Sequence, residues 1–382
     1  MKRKICVVIT ARPSYSRIKS VLRAIKKHPD LELQLVVSGS ALLERYGNVV
    51  EIMRTEGFEP DAVVYMLVEG ENLVTSAKST GMGIIELATV FNKLKPDAVL
   101  SVADRYETIA TAITGAYLNI PVVHVQGGEV TGSIDEKVRH AVTKLSDLHF
   151  VSSQAAAKRV ERMGERTETI FVTGCPSVDL AAEVIQKNER PVFEEIDGID
   201  SALTQKTPYL VVLHHPVTYE WESAGEQMWE LLTLISGLNM PTFWFWPNID
   251  AGAESSVKAI HRFRKRDTLK NIHYVLNLMP ERFLMLIKNS ACLVGNSSVG
   301  IRESAYLGVP VVNIGSRQRG RDRGPNVIDV PHDVERIILA IKQQIMHGPY
   351  SLSSLYGEGN AGKKIADLLA TVELTSQKLI TY

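Results

Sequence analysis

Short apolar runs rich in β-branched residues alternate with longer stretches of helical periodicity along almost the whole chain, and this alternation permits few architectures. Runs that are apolar throughout suit strands buried on both faces. Such strands pair in parallel and need crossover helices, so the pattern predicts α/β sheets covered by helices on both sides. In the first half the strand candidates are KICVVIT (4–10), LQLVVSG (33–39), DAVLSVA (97–103), PVVHVQ (121–126), LHFVSS (148–153) and TIFVTG (169–174). Between them SRIKSVLRAIKKH (16–28) sets Ile18, Val21, Leu22 and Ile25 on one helix face, and MGIIELATVFNKLK (82–95) reads the same way. Residues 183–207 are polar and charged and lack a strand run, which marks an inter-domain connection. The alternation then restarts with YLVVLHH (209–215), TFWFWPN (242–248), IHYVLN (272–277), ACLVGN (291–296), VPVVNI (309–314) and NVIDV (326–330). A chain of 382 residues is long for one core. The expectation is two doubly wound, Rossmann-like domains, 1–183 and 184–363, with a cleft between facing strand ends and a hinge near 180–207.

Composition narrows the partners. Lys plus Arg is 43 and Asp plus Glu is 43, so no overall basic field is available for nucleic acid or an anionic membrane. Cys6, Cys175 and Cys292 lie far apart, each in or beside an apolar run, which reads as three structural thiols in a reducing compartment. The apolar run before Arg12 is too short for a signal segment, and no stretch approaches the ~20 apolar residues of a membrane span. A cytoplasmic protein is expected. GMG at 81–83 lacks the third glycine and the preceding strand of a dinucleotide fingerprint, and there is no GxxxxGK[ST] loop. The sequence therefore asks for no nicotinamide or flavin cofactor. It also shows no spaced His and Cys set for a metal.

Ionisable residues gather where strands end, which is where open α/β sheets bind ligands. The first strand leads to Arg12, the third to Asp104 and Arg105, and the fourth to HVQGGEVTGSIDEKVRH (124–140) with Gln126, Glu129 and Asp135. Two readings of these carboxylates stand: turn and cap groups, or an acid–base cluster. Asp135 and Glu136 also suit a helix start capped by Ser133. In the second half LHHPVT ends a strand at His214 and His215. Neighbours in a strand face opposite sides, so at most one of the pair faces the cleft, and His215 is favoured. WPNIDAG brings Asn248 and Asp250 either to a plain turn or to the site. CLVGNSSVGIRES runs from a strand through Ser297 and Ser298 into a helix expected to begin near Val299, with Glu303 on it, a layout suited to anions. GSRQRGRDRG follows the next strand and sets Arg317, Arg319, Arg321 and Arg323 within seven residues. A solvated face and phosphate recognition both stand as readings, the flanking glycines directly after a strand favouring phosphate; RNA binding, a third, lacks the stacking aromatics it would need.

In this order, RPSYS, DR (104–105), GGEVTGSIDEKVRHAVTKL, GCPSVD (174–179), HPVT, PNIDAG, GNSSVGIRE and GSRQRGR resemble the hydrolysing UDP-N-acetylglucosamine 2-epimerases of sialic acid biosynthesis. The resemblance spans nearly the whole chain and implies a GT-B fold whose first domain is completed by a C-terminal helix (364–382). It implies a nucleotide held mainly on the second domain by Arg12, Asn248, Ser297, Ser298, Glu303 and Arg317. Asp104, Glu129, Asp135 and His215 would then surround the sugar, and a homodimer or homotetramer is implied. Some members have HxEGGE, whereas this chain has Gln126, which is neither acid nor base. Either Gln126 only orients the sugar or the substrate differs, and GDP-linked N-acetylglucosamine and UDP-2,4-diacetamido sugars stay open. Three rivals stand beside this reading. A glycosyltransferase of the same fold needs an acceptor, a non-hydrolysing epimerase keeps the nucleotide attached, and a nucleotide-sugar sensor binds without turnover.

Overall fold

The computed structural model describes residues 1–44, 49–70, 72–102, 105–189, 193, 204, 207–248, 250–266, 271–276 and 278–381, with Arg12 through its backbone only. Asp104, the Arg12 side chain and most of the expected connection at 183–207 lie outside the described residues. Along the chain come β1 (Arg3–Ile9), α1 (Arg12–Lys27), β2 (Leu31–Ser38), α2 (Val49–Thr55), β3 (Ala62–Val64), α3 (Leu73–Leu94), β4 (Ala98–Val102), α4 (Thr108–Tyr117), β5 (Val122–Val125), α5 (Asp135–Leu145), β6 (Leu148–Val151), α6 (Gln154–Arg162), β7 (Ile170–Val172) and α7 (Pro176–Lys187). There follow β8 (Leu210–Leu213), α8 (Ala224–Gly237), β9 (Thr242–Phe245), α9 (Ala253–Arg264), β10 (Ile272–Val275), α10 (Pro280–Lys288), β11 (Cys292–Gly295), α11 (Glu303–Leu307), β12 (Val311–Ile314), β13 (Val327–Val330), α12 (Val334–His347) and α13 (Ala361–Thr371). Among the described residues the strands form two sheets, ordered β3-β2-β1-β4-β5-β6-β7 and β10-β9-β8-β11-β12-β13. Every pairing in both is parallel.

Two compact units result: 1–129 with 134–180 and 356–382, and 130–133 with 181–355. In the first unit, alternation along β1 sends Ile5, Val7 and Ile9 to one core and Cys6 and Val8 to another on the opposite face. The four apolar positions expected on α1 are fully buried in the first of these cores, alongside Ile365 and Leu369 of α13. At about 1.5–3 kcal/mol for each large aliphatic side chain buried, such a stripe decides where the helix sits. In the second unit, Leu210 and Val212 of β8 face one core and Val211 and Leu213 the other. All three cysteines are free and buried. No helix of the described residues is long and apolar enough to cross a membrane.

Several boundaries differ from those the sequence suggested. Helix α1 opens four residues before the expected Ser16, because Pro13 suits the first helical turn. Helix α3 starts at Leu73 rather than near 82: Asn72 and Thr75 form a reciprocal cap that outweighs the weak helix formers between them. GMG therefore lies inside a helix, where a Cβ on Gly83 would come within 2.7 Å of the Met66 side chain. Strand β3, only three residues long at the sheet edge, carried no recognisable run.

The first unit is fastened by residues distant in sequence. The Asp179 carboxylate accepts from the N–H groups of Ala361 (2.9 Å) and Gly362 (2.7 Å), capping the start of α13. Arg3 donates to the carbonyls of Leu369 and Val372 at the other end of that helix. Buried Glu165 takes hydrogen bonds from Lys144 (2.6 Å) and from His149 (3.1 Å), and lies 2.6 Å from the Lys378 ammonium. Lys378 also donates to the Thr143 and Ser146 carbonyls at the end of α5. Burial alone would raise the Glu165 carboxyl, but hydrogen bonds from His149, Lys144 and Lys378 hold it at about 2, below its ordinary 4.5. The folded form thus favours the carboxylate, and this stabilisation is complete above the unfolded value and lost as pH falls towards about 2. Replacing Glu165 with Gln should cost about 2–3 kcal/mol in urea unfolding at neutral pH. The difference from the wild type should shrink at about pH 3; an equal difference at both pH values would show that ionisation of Glu165 is not what holds this cluster.

Candidate active site

In the first unit the sheet order reverses between β1 and β4, and polar groups gather beyond the ends of its strands among the described residues. Arg105, expected to bind substrate, is buried and turns its Nε to Glu107 Oε1 at 2.9 Å, so the pair stabilises the turn into α4. Beyond β5, Gln126 adopts φ +71° and donates from Nε2 to Cys175 Sγ at 2.8 Å, with Ser177 Oγ 3.0 Å from the same sulfur. Its amide thereby joins two loops. Gly128 follows at φ +73°, and a Cβ there would stand 2.3 Å from the Ala156 carbonyl oxygen, so the backbone passes where no side chain fits.

That tight path delivers Glu129, buried at 4% exposure. Arg139 donates to the Glu129 carbonyl at 2.8 Å and Arg159 to the Gly128 carbonyl at 3.2 Å. Ser152, just beyond β6, donates to Glu129 Oε1 at 3.0 Å. The backbone is thus clamped by two guanidinium groups and the carboxylate oriented by a hydroxyl. Asp135 is the first residue of α5 and half-buried. Glu136 pairs with Arg139 and, at 3.1 Å, with His140. Ser133 does not cap this helix: the N-cap is Ile134, without a side-chain bond. Residues 130–133 are instead drawn into the second unit, where the Gly132 N–H donates to the Arg317 carbonyl at 3.0 Å.

In the second unit the order reverses between β8 and β11, and Asn296 sits at that point with no exposure. Its N–H bonds the Leu213 carbonyl, its Oδ1 accepts from the His215 N–H and its Nδ2 donates to the His215 carbonyl, the latter two at 2.8 Å. A side chain thereby continues the ladder after β8 has ended. Gly295 makes this approach possible: at φ +135° its Cβ would fall 2.1 Å from the Leu213 carbonyl oxygen. The Asn296 carbonyl in turn accepts from Arg317 Nη1 (3.2 Å) and Gln318 Nε2 (2.9 Å). His215 Nδ1 accepts from the Asn248 N–H at 3.2 Å. One asparagine therefore ties the ends of β8 and β11 to the loop after β12, and His215 adds the end of β9.

The two histidines, just beyond the end of β8, take different neighbours. His214 is buried edge-to-face against His332, ring centroids 5.3 Å apart. Burial first, then His332 and Arg317, push the His214 ring down to about 3, so it is neutral at physiological pH. The arginine loop is more structural than its composition implied. Arg321 donates to Gln318 Oε1, and Arg323 donates to the Gln318 carbonyl and pairs with Asp329. After β11 the expected helix near Val299 is a single 3-10 turn, Ser298–Gly300, and α11 begins only at Glu303. A Cβ on Gly300 would meet Val311 at 2.9 Å, so this turn lies flat on the sheet. Arg302 reaches back to donate to Ser298 Oγ at 3.0 Å; Ser297 is half-buried and Glu303 is 3% exposed. Among the described residues no group of three or more His, Cys, Asp or Glu is arranged to hold a metal ion.

Ser152, Asn296, Gln318 and His332 were not singled out from the sequence. Asn296 had a visible signal, since it closes a strand run directly after glycine inside GNSS. Ser152 had none.

Two parallel sheets with polar groups gathered beyond their strand ends define an α/β protein with two sheets of doubly wound type. The model of the UDP-N-acetylglucosamine 2-epimerase family matches residues 23–370, and the chain belongs to that family. It is 33% identical over 381 residues to UDP-N,N'-diacetylbacillosamine 2-epimerase (hydrolyzing) of Legionella pneumophila, covering 99% of this chain and 98% of that one. It is 30% identical over 365 residues to UDP-N-acetylglucosamine 2-epimerase of Neisseria meningitidis serogroup B, covering 94% and 92%. A crystal structure of UDP-GlcNAc 2-epimerase from Neisseria meningitidis bound to UDP-GlcNAc shares the fold, with TM-score 0.80, 19% identity, and coverage of 96% of this chain and 99% of that one. The family and the fold class expected from the ordered motifs are those found.

Replacing Asn296 with Ala removes both partners of the buried His215 peptide groups. The expected cost is about 2–4 kcal/mol in urea unfolding, since each orphaned group forfeits its desolvation compensation. A loss below about 0.5 kcal/mol would mean that the ladder beyond β8 does not depend on this side chain.

Proposed function

We propose that the protein is a hydrolysing 2-epimerase that converts UDP-N-acetylglucosamine and water to N-acetylmannosamine and UDP, a step of sialic acid-type biosynthesis in the cytoplasm. The observation that carries this reading is the family match over residues 23–370, on a chain whose strand ends hold acid–base groups in one unit and a His–Asn–Arg array in the other.

The chemistry explains why both kinds of group are needed. The hydrogen at C2 of the sugar has no adjacent carbonyl, and a carboxylate with ordinary pKa near ~4 does not remove it unaided. When the C1–O bond to UDP breaks first, C1 becomes oxocarbenium-like and the neighbouring C2–H turns acidic. The C2–H electrons then form the C1=C2 bond of 2-acetamidoglucal, the C1–O pair departs with UDP, and the proton passes to a carboxylate. Water adds at C1 while a proton returns to C2 from the other face. Negative charge on the departing diphosphate calls for fixed donors, a role assigned to Arg317 with Arg12, Ser297 and Ser298, while Asn248 and Glu303 hold the nucleoside. Asp104, Glu129 and Asp135 are assigned the proton transfers. The Ser152 hydrogen bond and the two arginine clamps support Glu129 in that role, because a base acts only if its carboxylate is held in one direction.

A second reading, the same chemistry on a UDP-2,4-diacetamido sugar, is favoured by the 33% identity to the Legionella pneumophila relative. In deuterated water, UDP-N-acetylglucosamine alone should yield UDP and N-acetylmannosamine carrying one solvent deuterium at C2. Glu129→Gln should lower kcat by about 10²–10⁴. Product NMR decides: a sugar still joined to UDP points to a non-hydrolysing epimerase, and an unlabelled C2 refutes the elimination. Turnover only with the diacetamido substrate selects the second reading.

A further inference from the structure

The segment that follows α13 binds the carboxyl ends of both helices that clamp the Glu129 turn. The clamps are Arg139 of α5, which donates to the Glu129 carbonyl, and Arg159 of α6, which donates to the Gly128 carbonyl. One turn beyond Arg139, the Thr143 carbonyl accepts from the Lys378 ammonium at 3.0 Å, and the Ser146 carbonyl accepts from it too. Just past α6, the Gly164 carbonyl accepts from the Thr381 N–H at 3.2 Å. Gly164 has φ +83°, and a Cβ there would stand 3.0 Å from Ile380 and from the Thr381 carbonyl oxygen, so the segment lies directly on that turn. Lys144 of α5 donates to the Met163 carbonyl at 3.1 Å and joins the two helix ends. Thr143 also touches the site loop itself. Its Oγ1 lies 3.2 Å from His124 Nδ1, and a Cβ on Gly127 would meet the same two atoms at 3.3 and 2.8 Å. His124 and Thr143 are thus the floor on which Gly127 rests, immediately before Gly128 and Glu129.

The seat of this segment is polar. Leu379 and Ile380 are 81% and 59% exposed, whereas the Lys378 side chain is 22% exposed. Its ammonium meets two carbonyls at the negative end of α5 and the buried Glu165 carboxylate. We propose that Lys378 is a positioning residue for Glu129: by tying the carboxyl ends of α5 and α6, it keeps the two arginine clamps and the His124–Thr143 floor in place around the turn. The inference rests on the 2-epimerase reading and deepens it, since a group assigned the proton transfer is aimed from a distant part of the chain. Lys378 itself moves no proton. Without its ammonium the Thr143 and Ser146 carbonyls lose this donor and Glu165 loses one cation, so α5 is released at one end while Arg139 still holds the turn near the other. A displacement of about 1 Å at a reacting group costs up to about 10²-fold in rate.

The test compares Lys378→Met, which keeps the aliphatic stem without the donors, with Lys378→Arg, which restores a cation and its donors. Turnover of UDP-N-acetylglucosamine and hydrogen exchange of the amides in residues 126–131 are followed in the full chain. Lys378→Met should lower kcat about 10–100-fold with KM unchanged, because binding of the nucleotide in the ground state is untouched. Exchange across 126–131 should quicken about tenfold in the same variant. Lys378→Arg should return kcat to within about fivefold of the wild type. Lys378→Gln, which still donates two hydrogens, should fall between them, and it decides the matter if the Met chain does not fold. Asp179→Asn, which weakens the cap of α13 in the same unit, should lose stability yet keep kcat and the exchange of 126–131. A Met variant at wild-type kcat, a loss confined to KM, an Arg variant as slow as Met, or an Asp179→Asn chain equally slow would overturn the proposal. The exchange measurement needs no substrate, and unchanged exchange in Lys378→Met removes the positioning role. Wild-type protein that releases no UDP refutes the epimerase reading instead, and exchange then judges the tie alone.

Discussion

The second unit depends on one interaction, the bidentate bridge between the Asn296 side chain and the peptide groups of His215. In a parallel doubly wound sheet the two strands flanking the order reversal diverge into connections on opposite faces, leaving a gap at their carboxyl ends. Here β8 stops at Leu213, and without a partner the next two residues would leave buried peptide groups unsatisfied. Asn296 carries a donor and an acceptor in one planar amide, which is the complement that an extended peptide requires. The bridge carries the ladder past the end of the strand, and the same residue's carbonyl gathers Arg317 and Gln318.

Charge in the first unit is handled by the same economy. Arg139 and Arg159 spend hydrogen bonds on carbonyl oxygens of the Gly128–Glu129 turn, and a hydroxyl meets the Glu129 carboxylate. The crowding of ionisable groups after β5 is therefore no solvated turn. Arg139 and Arg159 brace the backbone, Glu136 pairs with Arg139, and the hydroxyl of Ser152 donates to buried Glu129.

The fold was legible because period-2 and period-3.6 patterns are written by burial, and both cores are built from the residues those patterns named, such as Ile18, Val21, Leu22 and Ile25. What stayed hidden was of two kinds. Strand β3 is too short to generate a pattern, and the start of α3 rests on a reciprocal Asn72–Thr75 cap amid poor helix formers. At the site, residue types were readable but hydrogen-bond partners were not. Nothing in the spelling of GSRQRGRDRG says that Arg321 and Arg323 fold back on Gln318. Nor does the spacing reveal that Arg105 turns to Glu107 or that Gln126 faces Cys175. Such choices are made by the neighbours each side chain meets in three dimensions, some close by in the chain and some, like Cys175, far along it.

Helix α13 bears on how the molecule is made. Its residues Ile365 and Leu369 fill the same core as Ile5 and Ile18, and Arg3 reaches across 366 positions to the Leu369 carbonyl. During synthesis the strands of the first unit leave the ribosome well before the helix that covers them. The strands and helices of the second unit lie between, within residues 181–355, and are complete before α13 exists. Contacts of such long sequence separation close slowly because loop entropy must be overcome before they stabilise anything. The part of the protein translated first is therefore completed late, and until then the face of α1 that α13 covers stands open to water.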